Sequence, residues 1–129
     1  MQIFEWIRRK WQGRNEDVMF EQRVIVTATS EEIAASYPSG EVQKILWKDV
    51  GRVAIETNDS GPAGADFWWL IEGETNRCCF PQGATGEADM FALLSARFAG
   101  FRYEKFIEAC DCTSNARFIC WERVIADKF

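Results

Sequence analysis

The residues best equipped for chemistry in this chain are five cysteines: Cys78, Cys79, Cys110, Cys112 and Cys120. Thiolates serve as nucleophiles, redox pairs or zinc ligands. A zinc site from Cys78, Cys79, Cys110 and Cys112 would need two knuckles, and these are usually C-x-x-C. The spacings here are C-C and C-x-C. Adjacent thiols on a strand point to opposite faces, so no metal centre is expected. Cys110-Asp-Cys112 could form a redox pair at the end of a short helix, although helix N-termini, rather than C-termini, lower a thiol pKa. The expectation is that Cys78, Cys110 and Cys120 are small buried apolar groups, as free cysteines often are. A thiol-dependent enzyme or redox switch working through Cys110 and Cys112 is the competing reading.

The chain has no histidine. That removes the commonest general base and the commonest metal ligand, and with them Ser-His-Asp and Cys-His catalysis. Trp68 and Trp69 look like a stacking platform, but neighbours on a strand face opposite ways, so at most one could line a pocket. Core positions are the more economical account of both. Gly83-Ala-Thr-Gly-Glu87 is glycine-rich and opens a helical pattern, a geometry that can hold an anion on free amides. No Lys-Ser or Lys-Thr pair follows Gly86, so it is not a P-loop, and Glu87 and Asp89 discourage an anion. The carboxylates Glu72, Glu74, Glu87 and Asp89 cluster in sequence, in turns or at a helix start where exposure is usual. No constellation of catalytic residues, no cofactor site and no metal site is expected.

Length and composition bound what these residues can belong to. The chain has 129 residues, with 47% apolar, 27% charged and 14% aromatic, including six Trp and ten Phe. This is one domain, large enough to bury a core without disulfides or metals. Net charge is −5, distributed unevenly: residues 1–14 sum to +3 and the remainder to −8. An acidic body repels phosphate backbones, which argues against nucleic-acid binding. The odd cysteine count and the lack of a secretory pattern in "MQIFEWIRRKW" point to a reducing, cytoplasmic location.

The elements that must position these side chains can be read from periodicity. Phe4, Ile7 and Trp11 fall on one helical stripe with Arg8, Arg9 and Lys10 beside them, so residues 1–17 read as a basic amphipathic segment. Its first 14 residues could touch a membrane surface or a partner. Residues 18–129 read as a single α+β domain. Period-two alternation marks strands over 20–28, 31–37, 41–47 and 52–57, joined by the turns at Pro38–Gly40 and Lys48–Gly51, as an antiparallel meander with one wet face. "FWWLIEGETNRCCF", Phe67 to Phe80, is apolar on both faces and reads as a two-stranded ribbon covered above and below. The period then becomes 3.6. Phe91, Leu94 and Phe98 share a stripe, with Thr85 as predicted N-cap, Glu87 and Asp89 in the first turn and Gly100 past the end. A shorter helix carries Tyr103, Phe106, Ile107 and Cys110, and Phe118 to Glu122 form a last strand. The expected architecture is a strongly twisted antiparallel sheet or partial barrel of about seven strands, with two helices packed on one side and an N-terminal helix in addition.

Three stretches, "ILWKDVGRVAIET" (Ile45 to Thr57), "FPQGATGE" (Phe80 to Glu87) and "NARFICWER" (Asn115 to Arg123), together resemble a family of small uncharacterised bacterial proteins. The resemblance covers roughly residues 20–123 by motif order and implies no activity or site. The pattern from Trp47 to Ile55 alone is similar to the strand-turn-strand of bacterial pleckstrin-homology-like domains. That fold ends on its helix, whereas this chain adds the strand at Phe118 to Glu122. Taken together, the residues lead to a non-catalytic interaction domain that offers an acidic face to a protein partner, itself basic. The alternatives are a small-ligand or lipid-headgroup module with residues 1–14 as its membrane foot, and the thiol-dependent enzyme or switch. A homodimer through an edge strand or the N-terminal helix is a further option.

Overall fold

The computed structural model describes residues 23–58 and 67–123. The basic segment expected over 1–17, with its membrane foot at 1–14, lies outside the described residues. The described elements follow the predicted order: six strands, two helices and a seventh strand. They are β1 (Ile25–Ala28), β2 (Glu32–Ser36), β3 (Val42–Leu46), β4 (Arg52–Thr57), β5 (Phe67–Glu72) and β6 (Arg77–Pro81), then α1 (Met90–Arg97), α2 (Tyr103–Asp111) and β7 (Ala116–Glu122). The fold is α+β with antiparallel sheets, as the pattern implied. The strands form two sheets instead of one: β1-β2-β3 and β6-β5-β4-β7, and these do not close into a barrel.

The meander splits because the chain changes sheets after β3. Trp47–Asp49 form a 3-10 turn, and the Trp47 indole N–H donates to the Thr29 carbonyl at 2.8 Å, fixing the corner. Beyond it the Gly51 N–H bonds the Glu72 carbonyl at 2.8 Å and starts the pairing of β4 with β5. Gly73 lies against this corner, where a Cβ would come within 2.6 Å of the Asp49 carbonyl oxygen.

The two sheets have opposite relations to water. In the first sheet Ile33, Ala35 and Ile45 are buried while Ile25, Val42 and Leu46 are exposed, the alternation of a half-buried sheet. In the second, Val53 to Thr57 and Phe67 to Ile71 are buried without interruption. Ala54 and Glu56 are therefore interior, because β4, read as part of a meander with one wet face, belongs to the covered sheet. Trp68, Trp69, Leu70, Ile71, Cys78, Cys79 and Phe80 have no exposed surface at all. The ribbon is interior, as its two apolar faces implied.

The sheets meet at the outer edge of β6. Its partner β5 uses one edge, and the other would leave backbone groups open to pairing. The Tyr37 hydroxyl donates to the Cys79 carbonyl, and the Gln43 side-chain oxygen accepts the Cys79 N–H at 2.8 Å. Side chains from the first sheet thus seal an edge of the second.

Two expectations about the helical part need correction. The first helix starts at Met90, with Asp89 as its N-cap, and not after Thr85. Thr85 instead bonds β1 through its backbone, taking the Val26 N–H at 2.8 Å and donating to Val24 at 2.9 Å. Gly86 makes this approach feasible: its φ is +91°, and a Cβ would lie 2.2 Å from the Val26 carbonyl oxygen. The second correction concerns α2. Phe106 and Ala109 turn inward, whereas Tyr103, Ile107 and Cys110, expected on the buried stripe, are exposed. Phe106 sets this orientation by stacking on Trp69 (5.7 Å between centroids, 17°) and on Phe91 of α1 (4.5 Å, 29°).

β7 pairs with β4 across a bulge between Val53 and Ala54, where Cys120 is the extra residue. Trp121 and Phe118 thereby come opposite Val53 and Ile55. None of the described helices is long and apolar enough to cross a membrane.

Candidate functional site

Two surfaces of the domain present side chains that the fold itself does not consume. The first is the outer face of α2. Tyr103 is 59% exposed and Ile107 50% exposed, one helical turn apart. Glu104, Glu108 and Asp111 are exposed on the same helix beside them. Lys105 holds Glu108 at 3.5 Å, and neither Glu104 nor Asp111 is in an ion pair among the described residues. The face is thus half apolar and half anionic. Sequence reading placed Tyr103 and Ile107 in the core, because an isolated wheel cannot tell which side of a broad apolar arc meets the sheet.

The second surface is a groove of about 690 Å³ at the corner where the two sheets and the end of α1 converge. Its floor is a run of rings: Trp47 edge-on to Phe98 (6.0 Å), and Phe98 against Trp121 (4.4 Å). The Trp121 indole N–H donates to the Ala99 carbonyl at 3.0 Å, which fixes its ring. The Arg97 guanidinium lies 4.4 Å above the Trp47 ring, and that of Arg123 lies 5.8 Å from the centre of Trp121. Cation–π attraction holds both in place. Arg123 is also pinned from below, donating to the Lys48 and Val50 carbonyls. Leu46 and Lys48 form the rim, with Ser30 and Glu31 opposite. These residues are scattered over more than 90 positions, and no local motif announces them.

Beside the groove, sharing Lys48 and Arg123 with it, is a polar cleft of about 930 Å³. Part of its charge is already paired. Arg52 donates to Glu122 at 2.9 Å and lies 3.8 Å from Glu72; Arg117 bridges Glu72 (2.7 Å) and Glu56 (3.0 Å). This ladder ties β4, β5 and β7 together across one face of the sheet. Its inner end, Glu56, is buried, and its second oxygen has no hydrogen-bond partner among the described residues. Burial pushes the Glu56 carboxyl above its ordinary range and Glu72 adds to this, while Arg117 opposes it.

Glu87 was expected at an exposed helix start beside Glu72, Glu74 and Asp89. It is buried instead, accepting the Trp69 indole N–H at 2.9 Å and the Gly83 N–H at 3.1 Å. A carboxylate with both oxygens committed to structural donors is a brace for the loop that follows β6. Nothing local signals it, because its partner Trp69 lies 18 residues upstream.

The thiols separate into two groups. Cys78, Cys79 and Cys120 are buried, and burial pushes Cys78 and Cys120 up to about 12 and Cys79 well above the usual thiol range. Cys110, expected to be buried, is exposed; desolvation and the neighbouring Asp111 still raise it. Cys112 is the exception. Hydrogen bonds with the Ser114 and Thr57 hydroxyls favour its thiolate and lower its pKa. These are hydroxyl donors, and among the described residues neither a cation nor a helix N-terminus adds to them. Among the described residues, no group of three or more acidic or cysteine side chains is placed to hold a metal ion.

Against this geometry, comparison with known proteins adds no relationship: no family model matches the chain, and neither a curated protein nor a solved structure matches it.

Proposed function

We propose that this chain is a non-catalytic interaction domain that presents the outer face of α2 to a basic protein partner in the cytoplasm. The observation that carries this reading is the divided character of that face. Tyr103 and Ile107 are held in water at 59% and 50% exposure, where an isolated domain gains nothing from them. Aromatic and aliphatic anchors ringed by charge are how small interfaces concentrate their binding energy. Glu104, Glu108 and Asp111 alongside would steer a cationic surface onto them, and the acidic body of the chain acts in the same sense. The five free thiols fit a reducing compartment.

The test is capture from the native host with three baits: wild type, Ile107→Glu, and Glu104→Lys combined with Glu108→Lys. A partner held by wild type at low salt should be lost with Ile107→Glu. It should weaken about tenfold or more with the charge reversals, and also as salt is raised. A partner retained equally by all three baits contradicts the reading. Sedimentation of the wild type alone distinguishes a homodimer through the same face, which would make the partner a second copy.

A further inference from the structure

We propose that the groove between Trp47 and Trp121 is a second binding site, for an acidic peptide segment that carries an apolar side chain between two carboxylates. This goes beyond the α2 interface and rests on different residues.

Charge is the first argument. The chain carries more acidic than basic residues, 20 against 15, yet the groove gathers Lys48, Arg97 and Arg123 against the single carboxylate Glu31. Among the described residues none of these three cations meets a carboxylate within ion-pair distance, whereas Arg52 and Arg117 nearby are both paired. The groove thus gathers three cations that carry no ion pair among the described residues.

The second argument is placement. Arg97 and Arg123 are held over separate indoles at the two ends of a three-ring floor, 6.0 Å and 4.4 Å between successive centroids. A guanidinium held on a ring is pre-organised, and its N–H groups match a carboxylate two at a time. Little side-chain freedom remains to be lost on binding. Between the two cations the surface is apolar, with Leu46 37% exposed on the rim. Side chains on one side of an extended peptide recur about every 7 Å. Positions one, three and five of such a segment would therefore offer acid, apolar and acid in the order the groove offers cation, rings and cation.

The experiment uses the full chain and the pentapeptide ESLSE, with KSLSK as control, read by the indole N–H signals of Trp47 and Trp121 in NMR titrations. ESLSE should give saturable shifts at these two indoles. Affinity should fall about tenfold in Arg97→Glu and measurably in Lys48→Glu, both exposed positions whose fold circular dichroism can verify. Ile107→Glu should bind ESLSE as wild type does, so loss of the α2 interface and loss of this site are separable. No shift at millimolar ESLSE, equal response to KSLSK, or indifference to Arg97→Glu overturns the proposal. So does a dependence of the same signals on protein concentration without peptide, which would make a second copy the occupant.

Discussion

The two sheets are built from similar residues under opposite conditions. In the three-stranded sheet the buried side chains alternate with exposed or half-buried ones, and Ile25, Val42 and Leu46 are exposed among Thr27 and Lys44. In the four-stranded sheet the same β-branched and aromatic types are buried in unbroken runs along β4, β5 and β6, with Glu56 and Thr57 among them, while β7 is mostly half-buried. Substitutions in the first sheet's outer row remove contacts with solvent. Those in the second remove contacts that cannot be replaced, or leave polar groups unpaired. The seam between them, Tyr37 and Gln43 against Cys79, joins a tolerant region to an intolerant one.

The comparison breaks most sharply at Trp69. Trp69→Ala empties a fully buried site and strips Glu87 of a donor. A loss of about 3–5 kcal/mol is expected in urea denaturation, a large share of the stability of an ordinary domain. Next comes Gly86→Ala. A residue at φ +91° with its Cβ on the Val26 carbonyl should cost about 1–3 kcal/mol from backbone strain, and hydrogen exchange should show β1 loosening first. Tyr37→Phe then tests the seam: it leaves the Cys79 carbonyl unpaired in the interior, with an expected cost of about 1–3 kcal/mol. Val42→Thr, on the wet face, should fall within about 0.5 kcal/mol of wild type.

Glu56 sharpens the comparison through pH. Its folded-state pKa is raised by burial, so the folded chain holds a proton that the unfolded chain releases. Stability associated with this group is therefore complete below the ordinary glutamate range and lost as pH rises through the raised value. The slope should be seen in wild-type denaturation midpoints and should flatten in Glu56→Gln. An unchanged slope in that variant would show that Glu56 is ionised throughout.

Much of this arrangement could be read from the chain itself. β4 and β6 begin and end where their β-branched and cysteine-rich runs meet Gly51, Asn76 and Gln82, because strands bounded by turn residues leave little room for slippage. The double-faced burial of the ribbon followed from apolar residues at every position. What failed depended on distant partners. Thr85, Glu87 and Asp89 imitate a helix N-terminus, but Thr85 is drawn into pairing with β1, some 60 residues earlier, and Glu87 onto Trp69. The period of α2 was right and its rotation was not, since Phe106 is turned inward by Trp69 and Phe91, which no local pattern encodes. The groove was invisible for the same reason. Trp47, Arg97 and Trp121 are each unremarkable in sequence and become a site only when the sheet change at Trp47–Asp49 and the Cys120 bulge bring them together.

Counting reactive thiols in the native protein tests the division between interior and surface most directly. With a chromogenic disulfide reagent in the absence of denaturant, two thiols per chain should react, Cys112 ahead of Cys110, and the remaining three only on unfolding. Peptide mapping that finds Cys78, Cys79 or Cys120 labelled at the rate of Cys112 would show that the four-stranded sheet is open to water, contradicting the account at its base.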